Sequence, residues 1–151
     1  MRFFTLADWC GEWGRGNDPQ AEYASHLDGI RDRLPPQLLA LQETISLHDT
    51  RLRTFVLLPP DGSLRIELSS YSGEERIELV YQGVERLESS ADPAIGLRGP
   101  HGYGDLGYDE VDVLPDGTFE HRILFSTGIE FRIVFRGFDL VMGTRTTNPN
   151  A

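Results

Sequence analysis

Phe119-Glu120-His121-Arg122-Ile123-Leu124-Phe125-Ser126-Thr127-Gly128-Ile129-Glu130-Phe131-Arg132-Ile133-Val134-Phe135 contains two alternating runs around a short polar break. Phe119, His121, Ile123 and Phe125 fall on one face of the first run, and Ile129, Phe131, Ile133 and Phe135 on one face of the second. Period two over such lengths is the mark of half-buried strands. A three-residue loop at 126–128 pairs Phe125 with Ile129, Ile123 with Phe131, His121 with Ile133 and Phe119 with Phe135. A two-residue loop would set Phe125 against Glu130 and mix the faces, which the apolar pattern forbids. Gly128 then stands where such a loop needs a left-handed residue.

Working outward, Tyr108 to Leu114 alternates in the same way and meets the hairpin through Pro115-Asp116-Gly117. A three-residue turn there pairs Val113 with Phe119 and Val111 with His121, in agreement with the hairpin's own register. Further upstream, Leu52, Thr54, Val56 and Leu58 are expected on one face of a strand. Leu64, Ile66 and Leu68, then Ile77, Leu79 and Tyr81, continue a separate meander. Asp18-Pro19 is a helix start, with a capping carboxylate followed by proline at the first helical position. Tyr23, Leu27, Ile30 and Leu34 follow at helical spacing, and Pro35-Pro36 ends that helix and opens another carrying Leu38, Leu41 and Ile45. The expected fold is α+β: an N-terminal helical hairpin packed on an antiparallel, curled sheet of about six strands. One domain over 1–142 and a polar tail over 143–151 are expected. Residues 83–107 are rich in Gly, Pro and Asp, show no period, and read as a long connector.

Composition excludes several kinds of chemistry. None of the 14 basic residues is a lysine, so Schiff-base, phosphate-loop-lysine and Ser–Lys mechanisms are absent. The net charge of −10 does not suit nucleic acid, which needs clustered positive charge, but does suit a basic protein partner. Between Glu85 and Glu120 nine acids face two arginines, so −7 of the total sits on and beside the connector. No apolar run approaches a membrane span, and the single cysteine, Cys10, cannot form an internal disulfide; a cytoplasmic protein with no membrane attachment is expected. Cys10, beside Trp9, is expected to be partly buried.

Candidate sites lie in three places. Gly102-Tyr103-Gly104-Asp105-Leu106-Gly107 matches G-x-G-x-x-G, yet dinucleotide binding needs a helix after that string and a strand pattern follows here. No cofactor is assigned. Asp105, Asp109, Glu110 and Asp112 carry metal-type oxygens, but strand alternation turns Asp109 away from Glu110 and Asp112. Glu110 is expected opposite Arg122 as a cross-strand ion pair, and no metal is assigned. His48, Asp49 and His121 form the most enzyme-like set, a histidine held by a carboxylate being a general-base arrangement. Trp9, Trp13, Tyr71, Tyr103 and Tyr108 lie in or beside loops, where aromatics serve as binding anchors. The leading expectation is an acidic binding surface made by Tyr103, Asp105, Tyr108, Asp109 and Asp112.

Leu47-His48-Asp49, Tyr108-Asp109-Glu110-Val111, Phe119 to Phe125, and Glu130 to Phe138 resemble strings in a loose group of uncharacterised bacterial domains, some of them associated with immunity proteins of polymorphic toxin systems. The likeness spans roughly residues 46–140. It implies a small cytoplasmic α+β domain that binds a protein without catalysis, and it supplies no catalytic residues.

Overall fold

The computed structural model describes residues 1–11, 18–91 and 102–144. Along the chain run α1 (Leu6–Trp9), α2 (Pro19–Ile30), α3 (Pro36–Thr44), β1 (Arg51–Leu58), β2 (Ser63–Ser69), β3 (Glu75–Gln82), β4 (Arg86–Ser89), β5 (Leu106–Val113), β6 (Phe119–Phe125), β7 (Glu130–Phe135) and β8 (Gly137–Thr144). The C-terminal register is the one the alternation demands. Phe119 lies opposite Phe135, His121 opposite Ile133 and Ile123 opposite Phe131, while Val111 meets His121 and Val113 meets Phe119. Gly128 closes the β6–β7 loop at φ 83°, a left-handed conformation that an L side chain resists.

The described strands form two four-stranded antiparallel sheets, β1-β2-β3-β8 and β4-β7-β6-β5, where one sheet of about six strands was expected. The difference comes from two corners. Three residues, Gly83 to Glu85, separate β3 from β4, and only Arg136 separates β7 from β8. Hydrogen bonds cross both corners, from Arg136 N–H to the Gln82 carbonyl and from Glu85 N–H to the Val134 carbonyl. Two long partnered strands therefore bend together and pass from one sheet into the other. Gly83 makes the bend at φ 58°, where a Cβ would sit 3.2 Å from the Cβ of Arg136. The sheets also touch through β1 and β5: Arg51 bridges Asp105, and Leu106 N–H bonds the Thr50 carbonyl.

β4 lies inside the stretch read as a patternless connector, and β8 extends to Thr144, into the expected tail. β1 departs from simple alternation. A bulge between Leu52 and Thr54 shifts its register, so Leu52 and Phe55 pack on the core and Val56 is exposed.

The helices are not clearly the expected hairpin on one sheet face. Asp18 caps α2 by accepting from the Gln20 and Ala21 N–H groups. α2 then packs beside β5, and α3 packs beside β8. Each helix takes up a backbone donor at a sheet margin: the Tyr23 hydroxyl accepts from Val111 N–H, and the Gln37 carbonyl oxygen accepts from Leu140 N–H. Edge strands left bare are templates for unwanted pairing, and here side chains block them. One core joins all layers, with Leu38 and Leu41 of α3 buried among Ile66, Leu79, Ile123 and Phe135.

The outer face of the second sheet carries charge. Glu110, Arg122, Arg132 and Glu88 stand in register across its four strands, and the carboxylate of buried Glu120 bonds both arginines. Arg122 lies 3.9 Å from Glu110, the expected cross-strand pair. The Glu110 carboxylate, itself buried, also accepts N–H bonds from Arg2, Phe3 and Phe4 at 2.8–3.2 Å. This pins residues 2–4 across the sheet. Among the described residues no helix is long and apolar enough to cross a membrane.

Candidate functional site

The N-terminal segment, α2, the α3–β1 turn and β5 enclose a cleft of about 510 Å³. Alternation along β5 sets its floor. Asp109 shares a face with Val111, so its carboxylate points between the sheets, while Tyr108 points to the opposite face and meets the N-terminal segment.

Asp109 is the meeting point of two hydrogen-bond relays. On one side Val111 N–H donates to the Tyr23 oxygen at 2.8 Å, Tyr23 O–H donates to the Gln42 carbonyl at 2.7 Å, and Gln42 Nε2 donates to Asp109 Oδ2. On the other, His121 places Nε2 3.0 Å from Asp109 Oδ2 and Nδ1 2.8 Å from the Tyr81 hydroxyl. With its proton on Nε2 the ring donates to Asp109, and Nδ1 shares the second bond with the Tyr81 hydroxyl. His121 and Tyr81 are fully buried. Burial is the main cause that pushes both the Tyr81 and Tyr23 hydroxyls above their ordinary value, with the Asp109 charge adding to it.

Phe4, Tyr23 and Tyr108 line the cleft among polar and aliphatic residues. Phe4 and Tyr108 stack at 4.5 Å between centroids and 4° between planes. Trp9 meets Tyr108 edge-on and lies 4.7 Å from the His48 ring. Gly107 makes room for Trp9: a Cβ there would lie 2.6 Å from the indole. At the rim, His48 Nδ1 lies 3.1 Å from Asp49 Oδ2, and Asp49 adopts φ 64° within the turn closed by Thr50 N–H to the Leu47 carbonyl. Glu43 also lines the cleft, but it is paired with Arg31.

The residues singled out from sequence disperse around this cleft. Tyr108 and Asp109 line it, as does His48. Asp105 is bonded to Arg51 at 2.8 Å, which holds that guanidinium above its ordinary value. Asp112 accepts from Arg2 at 3.0 Å and lies 3.4 Å from His26. Tyr103 is half-buried against Phe125 and Phe131 instead of standing on the loop surface. The enzyme-like set separates. His48 and Asp49 remain together at the rim, whereas His121 is sealed in the floor with both ring nitrogens engaged by Tyr81 and Asp109. Cys10 is exposed, contrary to expectation. β5, not a helix, follows Gly102 to Gly107. Trp13 and residues 92–101 of the expected connector lie outside the described residues. Among those described, no group of three or more His, Cys, Asp or Glu side chains is arranged to hold a metal.

Sequence reading missed Tyr23, Gln42 and Tyr81. Both tyrosines fell on apolar stripes and read as core, although a buried tyrosine hydroxyl calls for a polar partner. No protein-family model matches the chain, and no curated protein matches it at a significant level.

Proposed function

We propose that this is a non-catalytic binding protein that docks a basic protein partner through the acidic β5 region, with the Asp109 cleft as its central contact. One observation carries the reading. Of the three aspartates expected to dock, Asp105 and Asp112 are already met by Arg51 and Arg2, whereas Asp109 is met by Gln42 and His121 and by no arginine among the described residues. Its charge is thus left for a ligand, in a concave site that Phe4, Tyr23 and Tyr108 also line. The overall charge of −10 favours a basic partner, drawn in by long-range attraction. An immunity protein covering a basic nuclease in the cytoplasm is the concrete form of this proposal, in keeping with the resemblance noted from sequence.

The test is capture of partners by the tagged protein from its own organism at low and high salt, followed by association kinetics. A basic protein retained at low salt and weakened at high salt is expected. Asp109→Asn should slow its association more than Asp105→Asn does, because Asp105 is already neutralised by Arg51. Failure to retain a basic protein at either salt, or an association rate unchanged in Asp109→Asn, removes the proposal.

A second reading, a small hydrolase, rests on His48. Asp49 orients the imidazole through Nδ1, and His48 and Asp109 share the cleft. His121 has no direct part in it, being sealed from any substrate. Hydrolysis of an ester or phosphoester panel that disappears in His48→Ala and survives in His121→Gln would favour this reading.

A further inference from the structure

We infer that the Asp109 cleft is an arginine-recognition site: it takes the guanidinium of a side chain presented by the partner, in preference to a lysine ammonium. This rests on the docking proposal above and assigns the chemistry of its central contact.

Charge comes first. Glu43 at the lip is neutralised by Arg31, which leaves Asp109 as the carboxylate in the cleft without an arginine partner among the described residues. One such charge matches a monocation; a divalent metal needs more oxygen ligands than this. The two relays both end on Oδ2 of Asp109, so Oδ1 is the oxygen left for an incoming donor. Because the relay donors are fixed before binding, the carboxylate is already oriented and little ordering is needed on association.

Shape and surface discriminate between the two cations. An ammonium is compact and strongly hydrated, and a wall built from Phe4 and Tyr108 replaces few of its lost waters. A guanidinium is planar and weakly hydrated, and it stacks on aromatic faces while its in-plane N–H groups seek oxygens. Phe4 and Tyr108, their rings stacked on each other, line the cleft with Asp109, Gln20, Thr44 and Ser46, although Tyr108 leaves β5 on the face opposite the carboxylate.

The probes are three blocked tripeptides, acetyl-Gly-Xaa-Gly-amide, with Xaa arginine, lysine or citrulline. Each is titrated into the ¹⁵N-labelled full chain while the Gln42 side-chain amide and the backbone N–H groups of residues 107–109 are followed. The arginine peptide is expected to shift these signals with an affinity at least about five-fold above that of the lysine peptide. Citrulline, with the same shape and no charge, should leave them in place. Asp109→Asn should abolish the response, and Glu74→Gln, an acid in the β2–β3 turn, should not. Since Asp109→Asn also disturbs the relays, Tyr108→Leu provides a second arm, in which the preference for arginine should fall to parity with lysine. Equal response to arginine and lysine in the parent protein, a response that persists in Asp109→Asn, or shifts centred outside the cleft would each overturn the inference. The two proposals fail separately. A captured basic partner with equal arginine and lysine responses removes the guanidinium site and leaves docking. Arginine selectivity without any captured protein removes docking and leaves the site.

Discussion

Replacing His121 by phenylalanine tests whether the buried relay is a structural unit. The ring volume is nearly conserved, so packing changes little, but two hydrogen bonds vanish. The Tyr81 hydroxyl is left without a partner in a fully buried position; such an orphan costs about 1–3 kcal/mol. Asp109 loses one of its two donors, and a bond to a charged group is worth about 1.5–3 kcal/mol. His121→Phe should therefore destabilise the fold by about 3–5 kcal/mol. Tyr81→Phe alone strands Nδ1 of His121 and should cost about 1–2 kcal/mol. In the double variant neither orphan exists. Its loss should fall short of the sum of the single losses by about 2 kcal/mol, the signature of residues in one network. The assay is urea unfolding at neutral pH. With a slope of ~2 kcal/mol/M, His121→Phe should lower the midpoint by ~2 M. Additivity within about 0.5 kcal/mol, the behaviour of independent sites, would refute the relay as a coupled unit.

Three further outcomes follow from the same structure. Tyr81 and Tyr23 both have their hydroxyls raised in the folded state from an ordinary value of 10.0, chiefly by burial. Their contribution is complete below that value and is lost as pH climbs above it, because the unfolded chain gives up these protons first. Stability should then fall by about 1.4 kcal/mol per pH unit for each tyrosine, and Tyr81→Phe should flatten the slope measured by urea unfolding between neutral and strongly alkaline pH. Gly107→Ala drives a methyl group into the Trp9 indole and should cost about 1–3 kcal/mol, with red-shifted tryptophan emission; unshifted emission would mean that Trp9 does not need the gap. Glu110→Gln replaces a carboxylate that gathers the N–H groups of Arg2, Phe3 and Phe4, so those amides should exchange with solvent faster than in the parent protein, while core amides of β6 stay protected.

The register of β5, β6 and β7 was legible because alternation and loop length admit one solution: any slip exposes Ile123 and Phe131. The capped start of α2 was equally plain from Asp18-Pro19. Strands β4 and β8 were not legible. β4 is four residues long and charged at Arg86 and Glu88, and β8 begins one residue after β7 without a turn signal. The bulge in β1 moved Phe55 inward and Val56 outward, an offset that period two alone cannot foresee. Half the site was present in the pattern. Val111 opposite His121 puts Asp109 two residues away on the same face, a diagonal neighbour within reach of an imidazole. What hid the pair was the competing partnership of His48 with Asp49, adjacent in sequence. Tyr23 and Gln42 come from helices, and strand alternation says nothing about where those helices dock.

The shared corners at Gly83 to Glu85 and at Arg136 have a consequence for the order in which the molecule is made. β1, β2 and β3 form a contiguous meander, yet their sheet gains its fourth member only from β8, after the whole of the second sheet has been laid down. During synthesis the flank of β3, with Ile77, Leu79 and Tyr81 facing inward, waits for residues 137–144 to emerge. Closing that span is a late, non-local event, and topologies that depend on such pairings fold slowly. A ribosome stalled before residue 137 should therefore carry a protease-sensitive intermediate, with protection arriving in a single step once β8 is released.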